Sequence, residues 1–119
     1  MIRILIATVL LAAASLPGWS APCPGNPDAL GTARVIAVHP TLYPRVGRKH
    51  FPQTLPLGPK EVVLTFDDGP MPRTTEWVLE TLSQECVKAT FFMIGRNAAA
   101  NPAIARRIAA RGHTIGTHT

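Results

Sequence analysis

From residue 61 onward the chain repeats one pattern: a short apolar run, a turn signal, an amphipathic helical stretch, then another short run. That order restricts the fold more than any other feature, because strand–helix–strand segments join parallel strands by right-handed crossovers. The first run is Val62-Val63-Leu64-Thr65-Phe66, stopped by Gly69-Pro70, with the composition of a parallel strand buried on both faces. Val78, Leu79, Leu82 and Cys86 then recur at helical spacing, with Glu76, Glu80 and Glu85 away from that stripe. Thr74 or Thr75 is the expected cap, since a hydroxyl accepts from the free amides of a first helical turn. Residues 88–94 read as a second strand, ended by Gly95. Asn101-Pro102 opens a second helix and Gly112 closes it, with Ile104, Ala105, Ile108 and Ala109 as its apolar face. Residues 113–117 begin a third strand.

The stretch before this domain has a different character. Eight of the twelve prolines fall between residues 22 and 59. Proline fixes φ and removes a backbone donor, so this segment is expected to be an extended arm, with only residues 33–38 apolar enough for a short strand. Ahead of the arm, Arg3 precedes an apolar run over residues 4–14, and Gly18 and Ser20 supply small residues for cleavage. Residues 1–20 therefore read as a secretory signal peptide, too short to stay in a bilayer as a spanning helix. Pro22 before Cys23 argues against a lipid-anchored start.

Removal of Arg3 lowers the net charge from +5 to +4. The basic residues are scattered, Arg45, Arg48 and Lys49 being the one tight group, which does not make a nucleic-acid footprint. An exported chain is a candidate for disulfides, and its two cysteines are Cys23 and Cys86. A bridge between them and a buried free thiol at Cys86 are both compatible with the pattern.

The chemistry concentrates in Thr65-Phe66-Asp67-Asp68-Gly69-Pro70. Two adjacent carboxylates stand at the C-terminal end of the first strand, where parallel α/β folds build their sites. Neighbouring residues there project differently, so one acid can bind a cation while the other accepts a proton. The same residues also describe an acidic turn. His118 falls at the matching end of the third strand, and carboxylate plus imidazole is the donor mixture for zinc or a similar first-row ion.

Residues 65–70 resemble the first motif of the NodB-homology polysaccharide deacetylases. Ala89-Thr90-Phe91-Phe92-Met93-Ile94-Gly95 is similar to that family's second strand, and Gly112-His113-Thr114-Ile115-Gly116-Thr117-His118-Thr119 to the approach to its His-Ser/Thr-x-x-His motif. The resemblance implies an α/β fold, the first strand–helix units of a distorted (β/α) barrel, over residues 61–119. An eight-unit barrel typically takes about 250 residues, so the expectation is a truncated domain following a signal peptide (1–20) and a proline-rich arm (21–60).

The resemblance further implies that Asp67 is the general base, that Asp68 and His118 are metal ligands, and that His113 has an architectural role. The family's second metal histidine would fall four positions after His118, and its Arg-x-Pro segment and acid histidine later still. The implied reaction is metal-assisted hydrolysis of an acetyl group on a glycan, with a divalent ion, zinc foremost, as cofactor. The implied setting is secreted or periplasmic, with an acetylated glycan as substrate, no nucleic acid and no lasting membrane span. Two alternatives stand beside this. One is a haloacid-dehalogenase-type phosphatase, whose two acids are separated by one residue, whereas Asp67 and Asp68 are adjacent. The other is an inactive truncated product or a carbohydrate-binding relic of the deacetylase family.

Overall fold

The computed structural model describes residues 22–47 and 49–119. The proposed leader and Arg48 lie outside the described residues. The element order is β1 (Thr65–Asp67), α1 (Thr74–Gln84), β2 (Thr90–Ile94), α2 (Gly95–Ala100), α3 (Pro102–Ala110) and β3 (Thr114–His118). The three strands form one parallel sheet in the order β1-β2-β3, with Thr65 opposite Thr90 and Ile94 opposite His118. This is the parallel α/β arrangement expected from the strand–helix alternation.

The core is small and lies between the sheet and the two longer helices. Leu79 and Leu82 of α1, Phe91 and Met93 of β2 and Ile108 of α3 are buried together with Ala89. The alternation along β2 sends Phe91 and Met93 to this face, where Phe91 stacks on Phe66 and meets the edge of His113. Ile104 and Ala105 pack against the cluster, but Ala109, one residue past Ile108 and so about 100° further round the helix, is exposed. On the opposite face Phe92 lies across Gly116; a Cβ there would sit 2.6 Å from the Phe92 ring. Only glycine allows β3 that close.

Several expectations are corrected by the structure. β1 is shorter than expected, and among the described residues it pairs with β2 alone, while Val62, Val63 and Leu64 just before it are exposed. The helix cap is neither Thr74 nor Thr75. Arg73 occupies the cap position with a φ of 61° and no side-chain cap, Thr74 is already helical, and Thr75 is buried with Oγ1 accepting the Met71 N–H at 2.8 Å. Gly95 ends β2 but also begins α2, a six-residue helix without an apolar stripe, and it was the stripe that revealed the other two.

The strand expected at residues 33–38 does not form. Those residues meet no partner ladder, and Val35 is 83% exposed. Among the described residues the arm forms no helix or strand, and it is held by side chains and a disulfide instead. Cys23 is bonded to Cys86, which settles the open question about the two thiols. Around that bond the arm caps α1. Asn26 Nδ2 donates to Gln84 O, Gly31 N–H to Glu85 O, and Thr32 Oγ1 to Cys86 O. Carbonyls at a helix end have no partner within the helix, so these bonds supply what α1 lacks. Lys88 N–H in turn donates to Thr32 Oγ1 at 2.7 Å. Further along, Arg34 pairs with Glu61, whose carboxylate also accepts the Gly58 N–H. Those bonds hold the Glu61 carboxyl down at about 2. Among the described residues no helix is long and apolar enough to cross a membrane.

Candidate active site

The C-terminal ends of β1 and β3 bring together the three residues singled out in the sequence. Register places Asp67 beside Phe92 on β2, and His118 at the end of β3 beside Ile94. His118 Nε2 lies 3.7 Å from Asp67 Oδ2, and His118 Nδ1 lies 3.2 Å from Asp68 Oδ1. The imidazole therefore bridges the two carboxylates from across the sheet.

One atom in this group is unsatisfied. His118 Nδ1 is buried and makes no hydrogen bond among the described residues, although Asp68 Oδ1 is close by. A buried ring nitrogen and a carboxylate oxygen 3.2 Å apart are the donor types that a divalent cation takes up. Asp68 and His118 thus fit the role of two ligands. Among the described residues no group of three or more His, Cys, Asp or Glu side chains forms a complete metal-holding set.

The loop that carries the two acids is tightly tied down. Asp68 has a φ of +68°, a region that non-glycine residues enter rarely, aspartate more readily than most. The next peptide, Gly69–Pro70, is cis, and Pro70 is fully buried. Asn97 Nδ2 donates to Asp68 O at 2.8 Å, Ile94 N–H to Gly69 O at 3.0 Å, and Asn101 Nδ2 to Pro70 O at 3.4 Å. Sequence reading missed Asn97, and read Asn101 only as the opening of α3, where it does occupy the cap position but without a side-chain cap bond. The signal for Asn97 was a poor helix former inside the otherwise featureless stretch Arg96-Asn97-Ala98-Ala99-Ala100.

A cleft of about 390 Å³ opens beside the acids, lined by Phe66, Asp67, Asp68, Met71, Arg96 and Asn97 among others. His113, at the far end of β3, belongs to the scaffold. It is buried, its Nδ1 accepts the Ala89 N–H at 3.2 Å, and burial, with Lys88 and Arg111 nearby, lowers its pKa below the ordinary histidine value.

A parallel α/β sheet with two carboxylates and an imidazole converging on one rim has the layout of a hydrolytic enzyme site. Residues 54–119 match the model of the polysaccharide deacetylase family, and the chain belongs to that family. This removes the phosphatase alternative. The chain is 53% identical over 64 residues to a peptidoglycan-N-acetylglucosamine deacetylase of Bacillus cereus, a match covering 54% of this chain and 23% of that protein. It is 50% identical over 62 residues to a chitooligosaccharide deacetylase of a Bradyrhizobium species, covering 52% of this chain and 28% of the relative. A solved peptidoglycan deacetylase of Bdellovibrio bacteriovorus superposes with a TM-score of 0.53 at 45% identity, over 54% of this chain and 19% of the other. The chain thus spans about a quarter of the length of the curated relatives it matches.

Proposed function

We propose that the protein is a metal-dependent hydrolase that removes acetyl groups from an N-acetylated, glucosamine-containing glycan outside the cytoplasm. The observation that carries this is the meeting of Asp67, Asp68 and His118 on one rim, with His118 Nδ1 buried and unbonded beside Asp68. Family membership and the names of the relatives support the substrate class.

In this reading Asp68 and His118 hold the ion, zinc being the one their donor mixture fits best. A bound divalent ion supplies the charge that polarises an acetyl carbonyl and acidifies a water. Asp67 would act as general base toward the attacking water, a role supported by its position on the same rim, 3.7 Å from His118 Nε2. The cleft at Asp67 and Asp68 has apolar walls in Phe66 and Met71 against which an acetyl methyl would rest, beside the charged Arg96. Residues 1–20 would deliver the protein across the membrane as a cleaved signal peptide, and residues 21–60 would then form its arm ahead of the catalytic domain at 61–119.

Two polypeptides test the proposal: residues 21–119, and the same chain extended through the second metal histidine and the later family motifs. Each is titrated with zinc by calorimetry and assayed for acetate release from chitin oligomers and from peptidoglycan. The extended form should bind zinc stoichiometrically and release acetate, and the short form should do neither well, since Asp68 and His118 are fewer than the three protein ligands of a catalytic zinc site. An extended form that binds glycan but releases no acetate with zinc present would refute the assignment and favour a carbohydrate-binding relic.

A further inference from the structure

We infer that Asn97 is a positioning residue for the site, holding the Asp68 peptide in the conformation that turns both carboxylates toward His118; the inference rests on the function proposed above. Its starting point is the three consecutive carbonyls of Asp68, Gly69 and Pro70. Each accepts one hydrogen bond, from Asn97 Nδ2, from Ile94 N–H and from Asn101 Nδ2 respectively. The Asn97 bond is the shortest of the three at 2.8 Å, and it falls on the residue with the left-handed φ. A carbonyl held this way fixes the peptide plane after Asp68, and with it the direction in which that side chain leaves the backbone. Strained backbone of this kind persists where the surroundings over-determine it.

Asn97 is itself immobilised. Its own carbonyl accepts both the N–H of Asn101 at 2.9 Å and Asn101 Nδ2 at 3.1 Å. The helix that carries it packs beside β2 and α3. None of the residues of α2 is buried, so Gly95–Ala100 adds nothing to the apolar core that α1 and α3 share with the sheet. An asparagine is a poor choice for helix stability, and its side chain here points back across 29 positions to the acid loop. A short helix with no fully buried residue that bonds the one strained residue of the site acts as a bracket for that residue.

The test uses the full-length protein with Asn97→Ala and with Asn97→Asp, the second keeping the shape while replacing the donating nitrogen by an oxygen. Three quantities are read: zinc affinity by competition with a chromophoric chelator, kcat and KM for acetate release from chitin oligomers, and the melting temperature of the zinc-free protein. Groups that orient a metal ligand typically change metal affinity by about 10–100-fold. Both variants should weaken zinc binding by at least about tenfold and lower kcat with KM nearly unchanged, while the zinc-free melting temperature hardly moves. Unchanged zinc affinity and kcat in either folded variant would overturn the inference. So would a fall in melting temperature with zinc affinity intact, which is what a purely structural asparagine gives. A wild-type protein that binds zinc but releases no acetate would sink the proposed function alone, because the zinc arm would still report on Asn97. Wild type that does not bind zinc would remove both.

Discussion

At the residue scale the paired acids make the sharpest prediction. In the protein extended through its later motifs, Asp67→Asn should lower kcat by about 10²–10⁴-fold while zinc content holds, as removal of a positioned base does. Asp68→Asn should lower zinc content and kcat together. Full kcat in Asp67→Asn with zinc bound would take the base role away from that residue. His113 gives a second prediction, about pH. Its neutral ring accepts the buried Ala89 N–H, and burial first, then Lys88 and Arg111, hold its pKa down. The unfolded chain takes up a proton as pH falls through about 6.5 whereas the folded one resists, so His113 stabilises the fold fully above that pH. Its contribution is lost progressively as pH falls from there to the lowered folded value. Urea midpoints at pH 7.5 and pH 5 should therefore differ more in wild type than in His113→Phe, although the variant starts about 1–3 kcal/mol lower because the Ala89 N–H loses its partner. Equal pH dependence in the two proteins would show that other groups carry the effect.

Elements differ in how much of themselves they show in sequence. α1 and α3 were legible because each buries a stripe at helical spacing, Leu79 with Leu82 and Ile104 with Ile108. α3 also ends as Gly112 foretold, with that residue at a φ of 76°. The rim acids were legible because a strand-end turn and its carboxylates are contiguous. The rest depends on distance along the chain. The bonds from Asn97 to Asp68 and from Asn26 to Gln84 join residues 29 and 58 positions apart, and no local pattern encodes such pairings. The end of α1 repeats the closing motif of α3 with a cysteine in glycine's place. Cys86 has a φ of 51°, its N–H reaches Ser83 O, and Val87 N–H reaches Leu82 O. Its bond to Cys23 spans 63 positions, and removing such a cross-link typically costs about 2–4 kcal/mol. The Cys23→Ser/Cys86→Ser double variant should therefore unfold at lower urea than wild type by a matching margin. An unchanged midpoint would mean that the arm's hydrogen bonds to residues 84–88 suffice on their own.

For the whole molecule the first prediction is export. Expression in a Gram-negative host should yield a periplasmic chain beginning at or near Ala21, read by intact mass; recovery of only uncleaved chain in the inner membrane would contradict the leader. The fold has its reinforcement and its candidate site at opposite poles. The disulfide and the cap formed by the arm lie where the strands begin, and the two acids and His118 lie where they end. Chemistry and reinforcement are thereby free to diverge independently. Substitutions in residues 22–35 can alter the stability of the fold without touching Asp67, Asp68 or His118. A further domain spliced in ahead of Pro22 would likewise hang from the pole remote from the candidate site, leaving the approach to the rim acids unobstructed.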